Sequence, residues 1–178
     1  MKIKSDNWKI LAAGFAAAAI APIGAAEAAT LTDTDSVTRR ITNFTDAFSI
    51  AQFDTSLGTL NSVTFELEGT VDGTIGLENR DNGPATVSGT LRDRIALDSP
   101  TGDQLVVVLP DVTESEPLPA YDGSLNFDGA SGETFTGLTN TRRNTTTLTS
   151  DFGAFLGTGN VSLGVSATGE SFAQGTGN

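Results

Sequence analysis

From Leu60 to Thr70 apolar and polar side chains alternate: Val63, Phe65 and Leu67 on one side, Thr64, Glu66 and Glu68 on the other. A period of two puts one face of a strand in a core and the other in water. Val71 to Asn79 carries on in the same phase through Val71, Ile75 and Leu77, with Gly69 and Gly73 marking a bend or bulge. Helical spacing is nearly absent elsewhere. Arg80-Asp81-Asn82-Gly83-Pro84 is a turn, with Asn-Gly its strongest element.

Ala85 to Leu97 reads as a long strand with Val87, Leu91, Ile95 and Leu97 on one face. Asp93 falls on that apolar face, which predicts either a bulge that resets the phase or an Asp93 facing water near a strand end. Leu105 to Leu109 is continuously apolar, the pattern of a central strand buried on both faces. Asp111 to Pro119 is acidic and contains proline, and reads as a loop or irregular edge. Ser124 to Phe127, Thr134 to Leu138, Thr145 to Thr149 and Val161 to Val165 are further strands, and Val37 to Ile41 and Ala47 to Phe53 weaker ones. Ser150 to Leu156 is the one helical candidate, a turn or two capped by Ser150 or Asp151. Phe53-Asp54 and Ser56-Leu57-Gly58 make a tight turn, with Leu57 and Leu60 buried and Gly58 at positive φ. About nine or ten short strands joined by turns predict an all-β fold, a single antiparallel β-sandwich of jelly-roll or Ig-like two-sheet architecture. A solenoid is the alternative, and no fixed repeat supports it.

The first 28 residues are set apart. Lys2, Lys4 and Lys9 precede an apolar, alanine-rich run from Ile10 to Ile23, and Ala26-Glu27-Ala28 follows. That order is a secretory signal peptide with cleavage after Ala28, or next best after Ala29. The apolar run of about 14 residues is short of the roughly 20 needed to span a bilayer. Arg39-Arg40 lies beyond the segment and is not a twin-arginine export signal. Residues 29–178 then form one domain, long enough for a real core. It has seven arginines against twenty acidic residues, a net charge of −13, and no Lys, His or Cys.

Those absences exclude chemistry. No imidazole means no Ser-His-Asp triad and no ordinary zinc or copper site. No thiol means no disulfide frame and no thiolate nucleophile. No lysine means no Schiff base. Strong negative charge opposes nucleic-acid binding. The segment after Ala167 is mostly small and polar, with no apolar helix behind it.

Three phrases carry a resemblance. They are Gln52 to Gly69 (QFDTSLGTLNSVTFELEG), Tyr121 to Phe135 (YDGSLNFDGASGETF) and Gly157 to Gly169 (GTGNVSLGVSATG). In this order they resemble the choice-of-anchor E domain of exported bacterial surface proteins, over roughly Asn43 to Asn178. The resemblance implies export, a C-terminal sorting or anchoring signal such as a PEP-CTERM tail, and no catalytic residues to carry over. Relatives run on past the Gly-rich stretch into another strand and an anchor. The expectation here is therefore a domain short of its final strand and anchor, truncated or naturally unanchored, with an open edge near Leu163.

Asp122, Asp128 and Glu133 are candidate calcium ligands, as are Asp98, Asp103 and Asp111. The spacing is not an EF-hand, and Asp-Gly is first a turn former. Glu66 and Glu68 lie about 7 Å apart on one strand face, a separation that overlaps glycosidase pairs. A mature chain with no Trp and one Tyr lacks the aromatic platforms that sugars stack on. The threonine-rich run Thr145 to Thr149 is read as an ordinary strand rather than an ice-binding ladder. Asn43, Asn144 and Asn160 begin glycosylation sequons, expected to be unused in a bacterium. No catalytic, cofactor-binding or metal-ligating residue is assigned. The expected function is that of a non-catalytic exported structural or interaction protein of the cell surface or matrix. Its expected partners are itself, other envelope proteins or polysaccharide. A calcium- or glycan-binding module is the alternative, and a carboxylate hydrolase the remote one.

Overall fold

The computed structural model describes residues 3–4, 10–11 and 30–176. The rest of the predicted signal peptide, including its cleavage site, lies outside the described residues. Ten strands follow in chain order: β1 (Ile3–Lys4), β2 (Ile10–Leu11), β3 (Ser36–Val37), β4 (Phe44–Ala51), β5 (Val63–Glu78), β6 (Ala85–Asp98), β7 (Gln104–Val108), β8 (Asp111–Leu118), β9 (Gly132–Leu148) and β10 (Asn160–Thr176). All pairings between the strands are antiparallel, in two sheets. The all-β sandwich read from the alternation is the fold.

In the first sheet β5 pairs β9 along one edge, and β1 and β2 along the other, with β3 beyond β2. In the second, β4, β10 and β6 lie side by side, and β7 and β8 run end to end along the far edge of β6. The inward rows of β5 (Val63, Phe65, Leu67, Val71, Ile75, Leu77) meet those of β6, β7 and β10 in a single core. Gly69 lets the sheets close: a Cβ there would lie 2.3 Å from Ile95 Cδ1. Gly73 marks a register shift against β9. The bend expected at these glycines is thus a bulge at one and a close approach at the other. Phe155 stacks on Phe65 at 5.4 Å from a short 3₁₀ turn, Phe152–Phe155. Asp151 enters that turn at φ 61 without a side-chain cap, so neither expected cap operates.

Several local expectations are overturned. Leu105 to Leu109 is not a central strand buried on both faces. β7 is an edge strand whose buried residues alternate, and Leu109 is exposed. Its apolar row continues because β9 covers that edge: Asn144 Nδ2 donates to the Val107 carbonyl at 2.8 Å, and Arg142 faces Asp111 at 3.7 Å. Asp111 to Leu118 is a strand. Its exposed residues alternate as Thr113, Ser115 and Pro117, with Glu114 and Glu116 half-buried on the other face, and Pro117 is tolerated because β8 is an edge. Ser124 to Phe127 is loop. Thr134 to Leu138 and Thr145 to Leu148 are parts of one strand, which ends before Thr149. Leu57 points into solvent at 66% exposure, while Leu60 is buried as expected. The polar tail after Ala167 extends β10 to Thr176. Leu163 is therefore no edge: it is fully buried, on a strand that runs between β4 and β6.

Asp93 follows neither expected course. β6 keeps its phase, so Asp93 faces inward between Leu91 and Ile95 and is 1% exposed. The irregularity lies on the partner side. β7 gives way to β8 opposite Asp93, whose N–H donates to the Pro110 carbonyl at 3.0 Å.

Candidate functional site

The carboxylates named as calcium ligands do not assemble. Among the described residues, no group of three His, Cys, Asp or Glu side chains is placed to hold a metal. Asp122 accepts from the Ser124 N–H at 2.9 Å and Asp128 from the Gly129 N–H at 2.8 Å, and both following glycines have positive φ. These are turn contacts. The carboxylate that organises this loop is Glu78, which accepts from the backbone N–H groups of Asn126 and Phe127 and from the Ser131 hydroxyl. Asp103 closes a turn on Thr101, Asp111 faces Arg142, and Asp98 ends β6.

Glu66 and Glu68 sit together on the outward face of β5, as the alternation requires. Arg143, from the neighbouring β9, spans both: its Nη1 lies 3.1 Å from Glu66 Oε1, and its Nε and Nη2 donate to Glu68 Oε2. The hydrogen bond to Glu68 is the main cause holding the guanidinium pKa above its usual value. Thr64–Thr147 and Thr70–Thr141 hydroxyl pairs, at 2.9 and 2.7 Å, flank the cluster. Each pair of side chains lies directly across the ladder, the usual unit of sheet cohesion. The sequon asparagines are likewise engaged: Asn43 accepts from Gly169 N–H, Asn144 donates to Val107, and Asn160 donates to Ser49.

Two features lay beyond the sequence reading. The first is a pocket of about 130 Å³ lined by Thr42, Val71, Leu91, Arg92, Asp93, Gly169, Glu170 and Ser171. Asp93 Oδ2 has no hydrogen-bond partner among the described residues. Burial, with the Glu170 charge second, pushes the Asp93 carboxyl up to about 8, so it holds a proton at neutral pH. Glu170 is the second carboxylate of the lining and Arg92 its one cation; none of the lining residues brings an imidazole or a thiol.

The second is how the sheet edges are managed. On β4 the residues facing away from β10 are Thr45, Ala47, Ser49 and Ala51. Ala47 N–H donates to Asp46, Ser49 N–H to Asp35 and Ala51 N–H to Asp33, at 2.7 to 2.9 Å. Carboxylates thus occupy the donors that another strand would need. The β7–β8 edge lies under β9. The outer edge of β5 pairs at Ile75 and Thr74 with Ile3–Lys4, and at Gly69 and Glu68 with Ile10–Leu11. Among the described residues, no helix is long and apolar enough to cross a membrane. No family model matches this chain, and no curated protein or solved structure matches it either.

Proposed function

We propose that this chain is an exported, non-catalytic structural or interaction module of a cell surface or extracellular matrix, working through its sheet edges. The observation that carries the reading is the outer edge of β5. Its only strand partners among the described residues, Ile3–Lys4 and Ile10–Leu11, fall within the segment read as a cleaved leader. Loss of that segment on export would leave β5 and β3 separated by a gap one strand wide, about 10 Å. An extended segment of another chain fits such a gap by backbone pairing, without a side-chain code. The use of Glu66, Glu68 and Glu78 as ion-pair and loop-holding groups supports a non-catalytic role.

The test is the solution mass of the exported protein, measured by light scattering across a wide concentration range, together with retention on surface polysaccharide. Assembly beyond the monomer, or retention, is expected. A monomer at every concentration that binds no polysaccharide overturns the reading.

A further inference from the structure

We infer that two exported copies join through the C-terminal half of β10, Ser171 to Thr176, pairing antiparallel about a two-fold axis at Ala173. The inference rests on the reading that exported copies associate through sheet edges, and names the edge and the partner.

The free edge follows from strand parity. β10 has β6 on one side along its length from Gly164 to Thr176, but β4 on the other only as far as Ala167, opposite Phe44. The odd-numbered residues of β10 turn their N–H and C=O groups toward the β4 side. Gly169 confirms the phase: its N–H donates to Asn43 Oδ1 at 3.0 Å, just where β4 ends. Beyond that cap, Ser171, Ala173 and Gly175 present both backbone groups outward, and all three residues are exposed. Among the described residues, no carboxylate caps these donors as Asp33, Asp35 and Asp46 cap those of β4.

The stretch Ser171-Phe-Ala-Gln-Gly-Thr176 has no charge and no proline. The far edge of β4 carries carboxylates and the β7–β8 edge lies under β9; this stretch has neither, so it lacks those defences against pairing. A second copy is the partner that the charge favours. Residues 29–178 carry a net charge of −13. Two such molecules approach at least electrostatic cost along an uncharged segment.

The segment is also self-complementary. With Ala173 opposite Ala173 of the other copy, Ser171 meets Gly175, so each outward N–H meets a carbonyl. Phe172, 45% exposed with the Arg92 guanidinium 5.5 Å from its ring centroid, meets Gln174 on the outward face. The Asn43 cap stops the pairing from extending past Gly169, which holds the register.

The test uses the exported protein and its Ala173→Lys and Ala173→Glu variants, weighed by sedimentation equilibrium from micromolar to millimolar concentration. Ala173 is exposed, so both variants keep the wild-type melting temperature. The wild type is expected to dimerise. Each variant alone, placing like charges face to face, is expected to lose at least tenfold in dimer affinity, and an equimolar mixture is expected to recover it. Ser162→Lys, exposed on the same strand where β4 pairs it at Ser49, leaves the mass unchanged. A wild type that assembles indifferently to both Ala173 changes overturns this inference and leaves the proposed function standing. A wild type that stays monomeric throughout overturns both this inference and self-association.

Discussion

A methyl group added at Gly169 would lie 2.8 Å from Oδ1 of Asp93, its cross-strand partner, and 2.9 Å from Thr42. The buried acid and the glycine are one packing unit: the carboxyl occupies the space that a Cβ on β10 would need. Gly169→Ala is therefore expected to cost about 1–3 kcal/mol through overpacking. Gly175→Ala, on the same strand with nothing within 4 Å of the added carbon, should be near neutral. Thermal unfolding of the two variants by circular dichroism separates them. Equal melting temperatures would show that the Asp93 site relaxes freely.

Asp93 also makes stability depend on pH. Its carboxyl is pushed up to about 8 in the folded protein, mainly by burial, against about 3.9 in an unfolded chain. Between those values the folded state holds a proton that the unfolded state has released, so stability falls as pH rises through that window and levels off above it. Asp93→Asn should flatten the fall. The variant should match the wild type near pH 4 and exceed it by a few kcal/mol at pH 8. Urea unfolding at the two pH values measures the difference, and parallel curves would place the carboxylate in water.

Asn79 ties together three pieces of chain. Its buried side-chain amide donates to the carbonyls of Gly83 at 2.9 Å and Pro119 at 2.6 Å, and its Oδ1 accepts from the Asp81 N–H at 3.0 Å. Asn79→Ala strands those groups and should cost about 2–4 kcal/mol. Asn79→Asp should recover only the contact to Asp81, since a carboxylate cannot donate to the carbonyls. Chemical denaturation resolves the order: wild type, then Asp, then Ala.

Asp33 and Asp35 serve the edge of β4 rather than its core. The double change to Ala bares the Ser49 and Ala51 N–H groups. The expected outcome is a melting temperature within a few degrees of wild type but faster aggregation near it, followed by turbidity. Unchanged aggregation would mean that the edge is protected by something other than these carboxylates.

Much of this architecture was legible in the chain. The unbroken alternation of Val63, Phe65 and Leu67 with Thr64, Glu66 and Glu68 settles a strand and its buried face, because side-chain direction in a strand depends only on parity. Asp122-Gly123 and Asp128-Gly129 announce turns for a similarly local reason, the ease with which glycine adopts positive φ. The absence of His and Cys from the chain, and of Lys after Lys9, limits the available chemistry whatever the fold.

Only the tertiary structure decided which strands were edges and what met across them. The apolar Leu105 to Leu109 looked central because it is covered, but the cover is a strand from the other sheet, which no local pattern records. Asp111 to Leu118 looked like a loop because edge strands carry charge and proline. Asp93 broke its apolar row for a reason held some seventy residues away in Gly169, and the bland tail after Ala167 became half of a long strand because β6 was there to pair it. Parity is a property of consecutive residues. Edge, partner and burial are properties of what the rest of the chain brings alongside.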